Sequence, residues 1–262
     1  MKHLVFALVF LAGSVLATEV YKDFGKERLN SSPRHGEWVD IKSGDRTIKA
    51  FVVYPERKDK APVVLVVQEI FGLTDWLRSM CDELAENGVI AIAPDFLNGQ
   101  KFEDADGASK AISAVTQDQV KMVLDATADY ALKIPACNGT LAVCGFCRGG
   151  GWAFMYANVN SKLKAAYSFY GTPSDAPEQV ANIPCPVYGF YGENDERVNA
   201  GIPKAEELMK AAGKKYEPVI YKGAGHGFMR SGEPTNPAVR EADRKARDEA
   251  WTRWKKLLQE LP

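Results

Sequence analysis

The 262-residue chain has almost no net charge: 33 Lys and Arg face 34 Asp and Glu, a balance of −1. That removes the bulk attraction on which binding to nucleic acid or to an anionic membrane rests. Histidine is scarce, at three, and the five cysteines are too few for a small disulfide-stapled fold. No repeat, low-complexity tract or linker breaks the chain, and 22 Gly with 14 Pro exclude collagen and a long coiled coil. Beyond the N-terminal segment no apolar run approaches the roughly 20 residues that a bilayer span requires. What remains is 46% hydrophobic and 26% charged, the composition of a globular protein. Its length suits a single α/β domain, which often runs to about 250 residues.

The N-terminus reads as an export signal. Met1-Lys2-His3 is basic, Leu4 to Ala12 is uninterrupted apolar sequence, and Val15 and Ala17 are small residues two apart. This is the layout of a secretory signal cut after Ala17, with an apolar run too short for a comfortable anchor. The expectation is a soluble domain over 18–262, secreted or periplasmic, with no stable membrane association after cleavage. An oxidising compartment permits disulfides, but five is odd, so at least one thiol stays free or pairs with another chain.

Two alternating runs between Glu37 and Tyr54, around Ser43-Gly44-Asp45-Arg46, predict a β-hairpin. After it come short apolar runs without alternation, the mark of strands buried on both faces: Val63–Val67, Val89–Ala93, Leu141–Cys144, Ala165–Phe169, Val187–Tyr191 and Pro218–Tyr221. Helical stretches lie between them, over Thr74–Glu86, Gln117–Leu132, Gly149–Ala157, Ile202–Ala212 and Ala238–Leu261. In the last, Trp251 and Trp254 share a stripe with Ala246, Ala250 and Leu258, so they read as core anchors. Asp104–Ser109 is small and polar and reads as a surface loop; Thr18–His35 reads as loosely ordered. Strand–helix alternation predicts a mostly parallel sheet with helices on both faces and the hairpin at its start.

Chemistry concentrates in Leu141 to Gly151, where a buried strand runs into Gly145-Phe146-Cys147-Arg148-Gly149. This is the pattern of a nucleophile elbow with cysteine in place of serine. Glycines two residues to either side relieve a turn too tight for Cβ atoms. The helix N-terminus is expected to favour the thiolate of Cys147. A thiol nucleophile needs a base. His3 lies in the export signal and His35 precedes the first strand, which leaves His226, in Gly225-His226-Gly227 after the last strand. An orienting acid belongs between nucleophile and histidine in chain order. Asp195 in Gly192-Glu193-Asn194-Asp195-Glu196 is the choice, with Glu193 and Glu196 as alternatives.

With these residues assembled, the sequence resembles the dienelactone hydrolase family, the cysteine branch of the α/β-hydrolases. The resemblance rests on Gln68-Glu69-Ile70-Phe71-Gly72, Ala93-Pro94-Asp95, Gly145-Phe146-Cys147-Arg148-Gly149-Gly150 and His226-Gly227-Phe228. It implies the α/β-hydrolase fold and a Cys147–Asp195–His226 triad. It also implies that Glu69 contacts the resting thiol and helps take its proton. The N–H groups of Ile70 and Arg148 would form an oxyanion hole, and Arg230 and Tyr170 would line the substrate site. The implied reaction is cleavage of a small ester or lactone bearing a carboxylate, by a monomer without cofactor or metal. One position departs from the family: a second substrate-binding arginine falls at about Gly99, and nearby Lys101 lacks its forked donors.

Two other readings compete. Cys144 and Cys147 form C-x-x-C, which in an exported protein suggests a thiol–disulfide pair. Cys144 falls inside a core strand, however, where a buried inert thiol is the ordinary state. A non-catalytic carbonyl binder is the third reading, against which stands the full set of Glu69, Cys147, Asp195, His226 and Arg230.

Overall fold

The computed structural model describes residues 25–100, 102 and 104–262. The segment read as an export signal, and Lys101, lie outside them. Eight strands form one sheet in the order β1-β2-β4-β3-β5-β6-β7-β8. The strands are β1 (Gly36–Ser43), β2 (Arg46–Val53), β3 (Ala61–Val67), β4 (Ile90–Pro94), β5 (Cys137–Phe146), β6 (Leu163–Phe169), β7 (Val187–Gly192) and β8 (Tyr216–Tyr221). β1 and β2 are the antiparallel hairpin, closed where Ser43 pairs with Arg46 and Gly44 takes φ +56. β2 meets β4 antiparallel, and every later pairing is parallel.

Burial on both faces explains the unbroken apolar strands. Val63, Leu65 and Val67 of β3 enter one core, whereas Val64 and Val66 enter the other. The first core is covered by α4 (Gln117–Ala131), α5 (Arg148–Val159) and α7 (Ile202–Ala211), through Leu124, Phe154 and Met209. The second is covered by α2 (Asp75–Glu86) and α9 (Glu241–Gln259), through Trp76, Met80, Ala250 and Trp254. Trp251 and Trp254 are 5% and 0% exposed, which assigns both to the core. α2 begins with the Thr74 hydroxyl accepting from Leu77 N–H, and α4 begins with a reciprocal capping box between Thr116 and Gln119.

Two segments differ from the sequence reading. Asp104–Ser109 is not a surface loop: it starts α3 (Ala105–Ser113), whose first turn is capped by the Asp104 carboxylate accepting from Gly107 N–H at 2.7 Å. Ala108 and Ile112, four apart, anchor that helix in the interior. Of the N-terminal stretch, Lys26–Ser31 forms α1, tied to α2 by Arg28 and Arg34 on the buried Asp82 carboxylate.

Two short helices follow strand ends: α6 (Glu196–Asn199) after β7 and α8 (Phe228–Ser231) after β8. Behind α8, the buried Arg247 of α9 donates to Glu83 of α2, to Glu233 and to the Met229 carbonyl, at 2.7, 2.8 and 3.2 Å. One guanidinium thus ties two helices to the segment that carries His226 and Arg230. Burial and the nearby Glu233 push the Glu83 carboxyl up to about 7, against the pull of Arg247.

Candidate active site

β3 and β5 are neighbours in the sheet although β4 lies between them in sequence. Their connections leave in opposite directions, and the crevice beyond such a switch point is where ligands bind in open α/β sheets. Glu69 and Ile70 follow β3, and Cys147 follows β5.

β5 ends at Phe146 and α5 begins at Arg148, so a single residue makes the turn. Cys147 holds φ 55, ψ −118, a conformation that costs a non-glycine residue roughly 1–3 kcal/mol. The packing around it admits no side chain at two neighbouring positions. A Cβ on Gly145 would lie 1.9 Å from the Gly149 carbonyl oxygen, and one on Gly149 would lie 2.4 Å from that of Gln68. Phe146 fixes the elbow from below, its ring 4.9 Å from Phe169, 5.2 Å from Trp76 and 6.2 Å from Trp254. Aromatic pairs of this kind contribute about 0.5–1.5 kcal/mol each beyond their buried area.

Three side chains from three strand ends line up at the elbow. Cys147 Sγ is 3.1 Å from His226 Nε2, and His226 Nδ1 is 2.5 Å from Asp195 Oδ2. The Asp195 carboxylate is buried, so it accepts the Nδ1 proton and leaves the Nε2 lone pair facing the sulfur. The neighbouring acids are turned elsewhere. Glu193 accepts from Gly223 N–H at 2.8 Å, and Glu196 is an exposed residue of the first turn of α6.

Glu69, 5% exposed, accepts from Arg230 Nε at 3.0 Å on one oxygen and from Tyr170 O–H at 3.3 Å on the other. Tyr170 is buried, takes φ 40, and sets its ring edge-on to His226 at 5.2 Å. The contact between Glu69 and the thiol implied by the family resemblance is not seen in this structure, where Cys147 Sγ faces His226 and Glu69 is held by Arg230 and Tyr170. The helix start, expected to favour the thiolate, is not the dominant influence on the thiol. Burial pushes the Cys147 thiol up to about 12, and the Glu69 charge adds to the rise. A hydrogen bond from Arg148 N–H and the positive charge of Arg197 oppose it without reversing it. The dipole of a helix start is worth about 2 kcal/mol at most in a partly buried site, too little to offset burial beside a carboxylate.

These groups open onto a cleft of about 670 Å³, with Ile70, Trp152 and Thr172 in its walls. Ser109, Ile112 and Val115 also line it, so α3 and the residues after it close one side, a role the sequence reading did not assign. Arg197, two residues past Asp195, was missed as well; its signal is a cation in the loop that carries the acid. Gly99 borders a separate 460 Å³ cavity that shares Phe71 with the cleft. His35 is exposed and stacks on Tyr54. All five cysteines are free thiols, and Cys144 is fully buried with its thiol pushed well above the ordinary range by burial. Among the described residues no three His, Cys, Asp or Glu side chains gather as metal ligands.

The sheet order and the strand-to-helix elbow are those of an α/β-hydrolase. Residues 48–261 match the model of the dienelactone hydrolase family, and the chain belongs to that family. A protein of Escherichia coli strain K12 named "Putative carboxymethylenebutenolidase" is 31% identical over 222 residues, 79% of this chain and 82% of its own. The crystal structure of a "Putative Dienelactone Hydrolase" from Klebsiella pneumoniae superposes with a TM-score of 0.77 at 28% identity, over 87% of this chain and 99% of that one. That of a dienelactone hydrolase from Anabaena variabilis gives 0.64 at 17% identity, over 86% and 98%, which is a likeness of fold alone.

Proposed function

We propose that the chain hydrolyses small esters or lactones through a thioester on Cys147, and that a substrate carboxylate directs binding. The observation that carries this reading is the unbroken line from Cys147 Sγ through the His226 ring to buried Asp195, at 3.1 and 2.5 Å. Sγ attacks the carbonyl carbon while its proton passes to His226 Nε2, and the imidazolium is stabilised by Asp195. Charge on the former carbonyl oxygen is met by the N–H groups of Ile70 and Arg148. His226 then protonates the leaving oxygen as its bond to carbon breaks, which leaves the acyl group on sulfur. Water loses a proton to His226, attacks the thioester and releases the acid, and the proton returns to sulfur.

The Arg230–Glu69 pair explains why a carboxylate should matter. Arg230 offers a carboxylate the parallel donors that Glu69 now accepts in part. An incoming anion competes with Glu69 for them, so recognition of the carboxylate changes the charge balance around the thiol whose proton His226 takes.

The test is turnover of two matched esters, one with a carboxylate and one with the amide in its place. The expected result is that Cys147→Ala loses turnover of both, and that the wild-type protein favours the carboxylate by about 1–3 kcal/mol in kcat/KM. Undiminished turnover by Cys147→Ala would refute the mechanism. An equal or better value for the amide would remove Arg230 from recognition.

A further inference from the structure

The cleft holds three guanidinium groups, and their surroundings differ. Arg230 is neutralised by Glu69. Arg148 lies 5.7 Å over the Trp152 ring. Arg197 is exposed and its side chain makes no hydrogen bond or ion pair among the described residues; neither Glu196 beside it nor Asp175, which also lines the cleft, is paired with it. Its charge nevertheless reaches Cys147, where it opposes the rise that burial and Glu69 impose on the thiol.

The three arginines follow three different strands: Arg148 follows β5, Arg197 follows β7 and Arg230 follows β8. Glu69, which holds Arg230, follows β3; Cys147 follows β5; Arg197 follows β7. The ends of β3 and β7 stand one and two strand spacings from that of β5, on opposite sides of it, so the segments that carry Glu69 and Arg197 enter the cleft from different directions. β6 supplies the floor between them through Tyr170 and Thr172, both lining the cleft. An unpaired guanidinium in a concave wall is a ready partner for a carboxylate or phosphate, because it offers parallel donors without first breaking another ion pair.

We propose that Arg197 is a second anion-binding residue of the cleft, separate from the Arg230–Glu69 pair, and that the preferred substrates carry two acidic groups, one for each arginine. That such ligands are substrates rests on the reading of Cys147 as nucleophile; the anion site itself does not.

The experiment therefore uses Cys147→Ala protein, in which binding is measured without turnover. Dissociation constants are determined by calorimetry for straight-chain dicarboxylates from succinate to sebacate and for monocarboxylates of equal length. One dicarboxylate of matching span should bind about tenfold tighter than its monocarboxylate, the lower end of what a charged hydrogen-bond pair supplies at an exposed site. Added salt should shrink that ratio. Adding Arg197→Gln should bring the ratio to near one, and Arg197→Lys should retain part of it. Lys210→Gln, an equal charge change on exposed α7 away from the cleft, should leave it intact. A ratio near one in Cys147→Ala protein, or an unchanged ratio with Arg197→Gln, overturns the proposal. A twofold-charged preference that depends on Arg197 sustains it even where the matched-ester test has refuted Cys147 as nucleophile.

Discussion

Replacing Glu69 by Gln should make the resting enzyme easier to alkylate at Cys147. The thiol is pushed up to about 12, first by burial and then by the Glu69 charge. At pH 8 a thiol of that pKa is ionised in about one molecule in ten thousand, whereas an ordinary cysteine near 8.5 is ionised in roughly a quarter. Neutral iodoacetamide should therefore react with Cys147 on the order of a thousandfold more slowly than with an unfolded cysteine. Glu69→Gln removes the negative charge and releases Arg230 from its ion pair, and both changes favour the thiolate. One charge several ångströms away at an effective dielectric near 20 moves a pKa by about one to two units, so the rate at pH 8 should rise roughly 10- to 100-fold. Burial, the larger cause, is untouched, so the rate should stay below that of a free thiol. The assay is the second-order rate from pH 6 to 10, with the adduct assigned by mass to Cys147. A plateau at neutral pH in the wild-type protein would mean a standing thiolate–imidazolium pair and would refute the argument, as would a Glu69→Gln rate no faster than wild type.

Asp195→Asn should lower kcat by about four orders of magnitude through the wrong imidazole tautomer, with Glu193→Gln and Glu196→Gln within a few fold of wild type. Steady-state turnover of the three variants checks this, and a crippling effect of either glutamate change with a mild one at Asp195 would reassign the acid. The buried Glu83 carboxyl, raised from its ordinary 4.5 to about 7, binds its proton more tightly folded than unfolded. Its stabilising contribution is thus complete below about pH 4.5 and is lost as pH rises through 7. Glu83→Gln, which keeps an acceptor for Arg247, should gain on wild type across that window, by on the order of 3 kcal/mol at pH 8 relative to pH 4.5. Urea unfolding at several pH values measures the difference, and one that does not change with pH would show that Glu83 is not the titrating group.

The central strands were legible because burial on both faces leaves a plain mark in sequence. Val63–Val67 is apolar at every position, and alternate side chains enter opposite cores. Elements that pack one residue per turn leave a weaker mark. α3 shows only Ala108 and Ile112 to the interior, amid Asp, Gly, Ser and Lys, so it reads as loop unless the Asp104 cap is weighed. β5 begins at Cys137, four residues before the apolar run, because Asn138, Gly139 and Thr140 lie at the open end of the strand.

The site divides along the same physical line. Cys147 and His226 were legible because local chain geometry demands glycines around each: the elbow closes Gly145 against Gly149, and Gly227 takes φ +75 beside the histidine. Asp195 was the choice for the acid with Glu193 and Glu196 kept as alternatives, since the assignment depends on which carboxylate of a tight turn faces a loop 31 residues further on. In the structure Asp195 is the carboxylate on His226, and Glu193 turns back to accept from Gly223 N–H. The charge balance at the thiol was only half visible. Sequence shows the helix start that lowers a thiol pKa, but not the burial and the through-space carboxylate that raise it. Those arise only when β3 and β5 become neighbours across a crossover. A neutral resting thiol is also guarded against oxidation and stray alkylation, because both require the thiolate. Withholding the charge until an anionic ligand takes Arg230 from Glu69 would tie nucleophile activation to substrate recognition, and the Glu69→Gln alkylation rate measures how much of that restraint the carboxylate supplies.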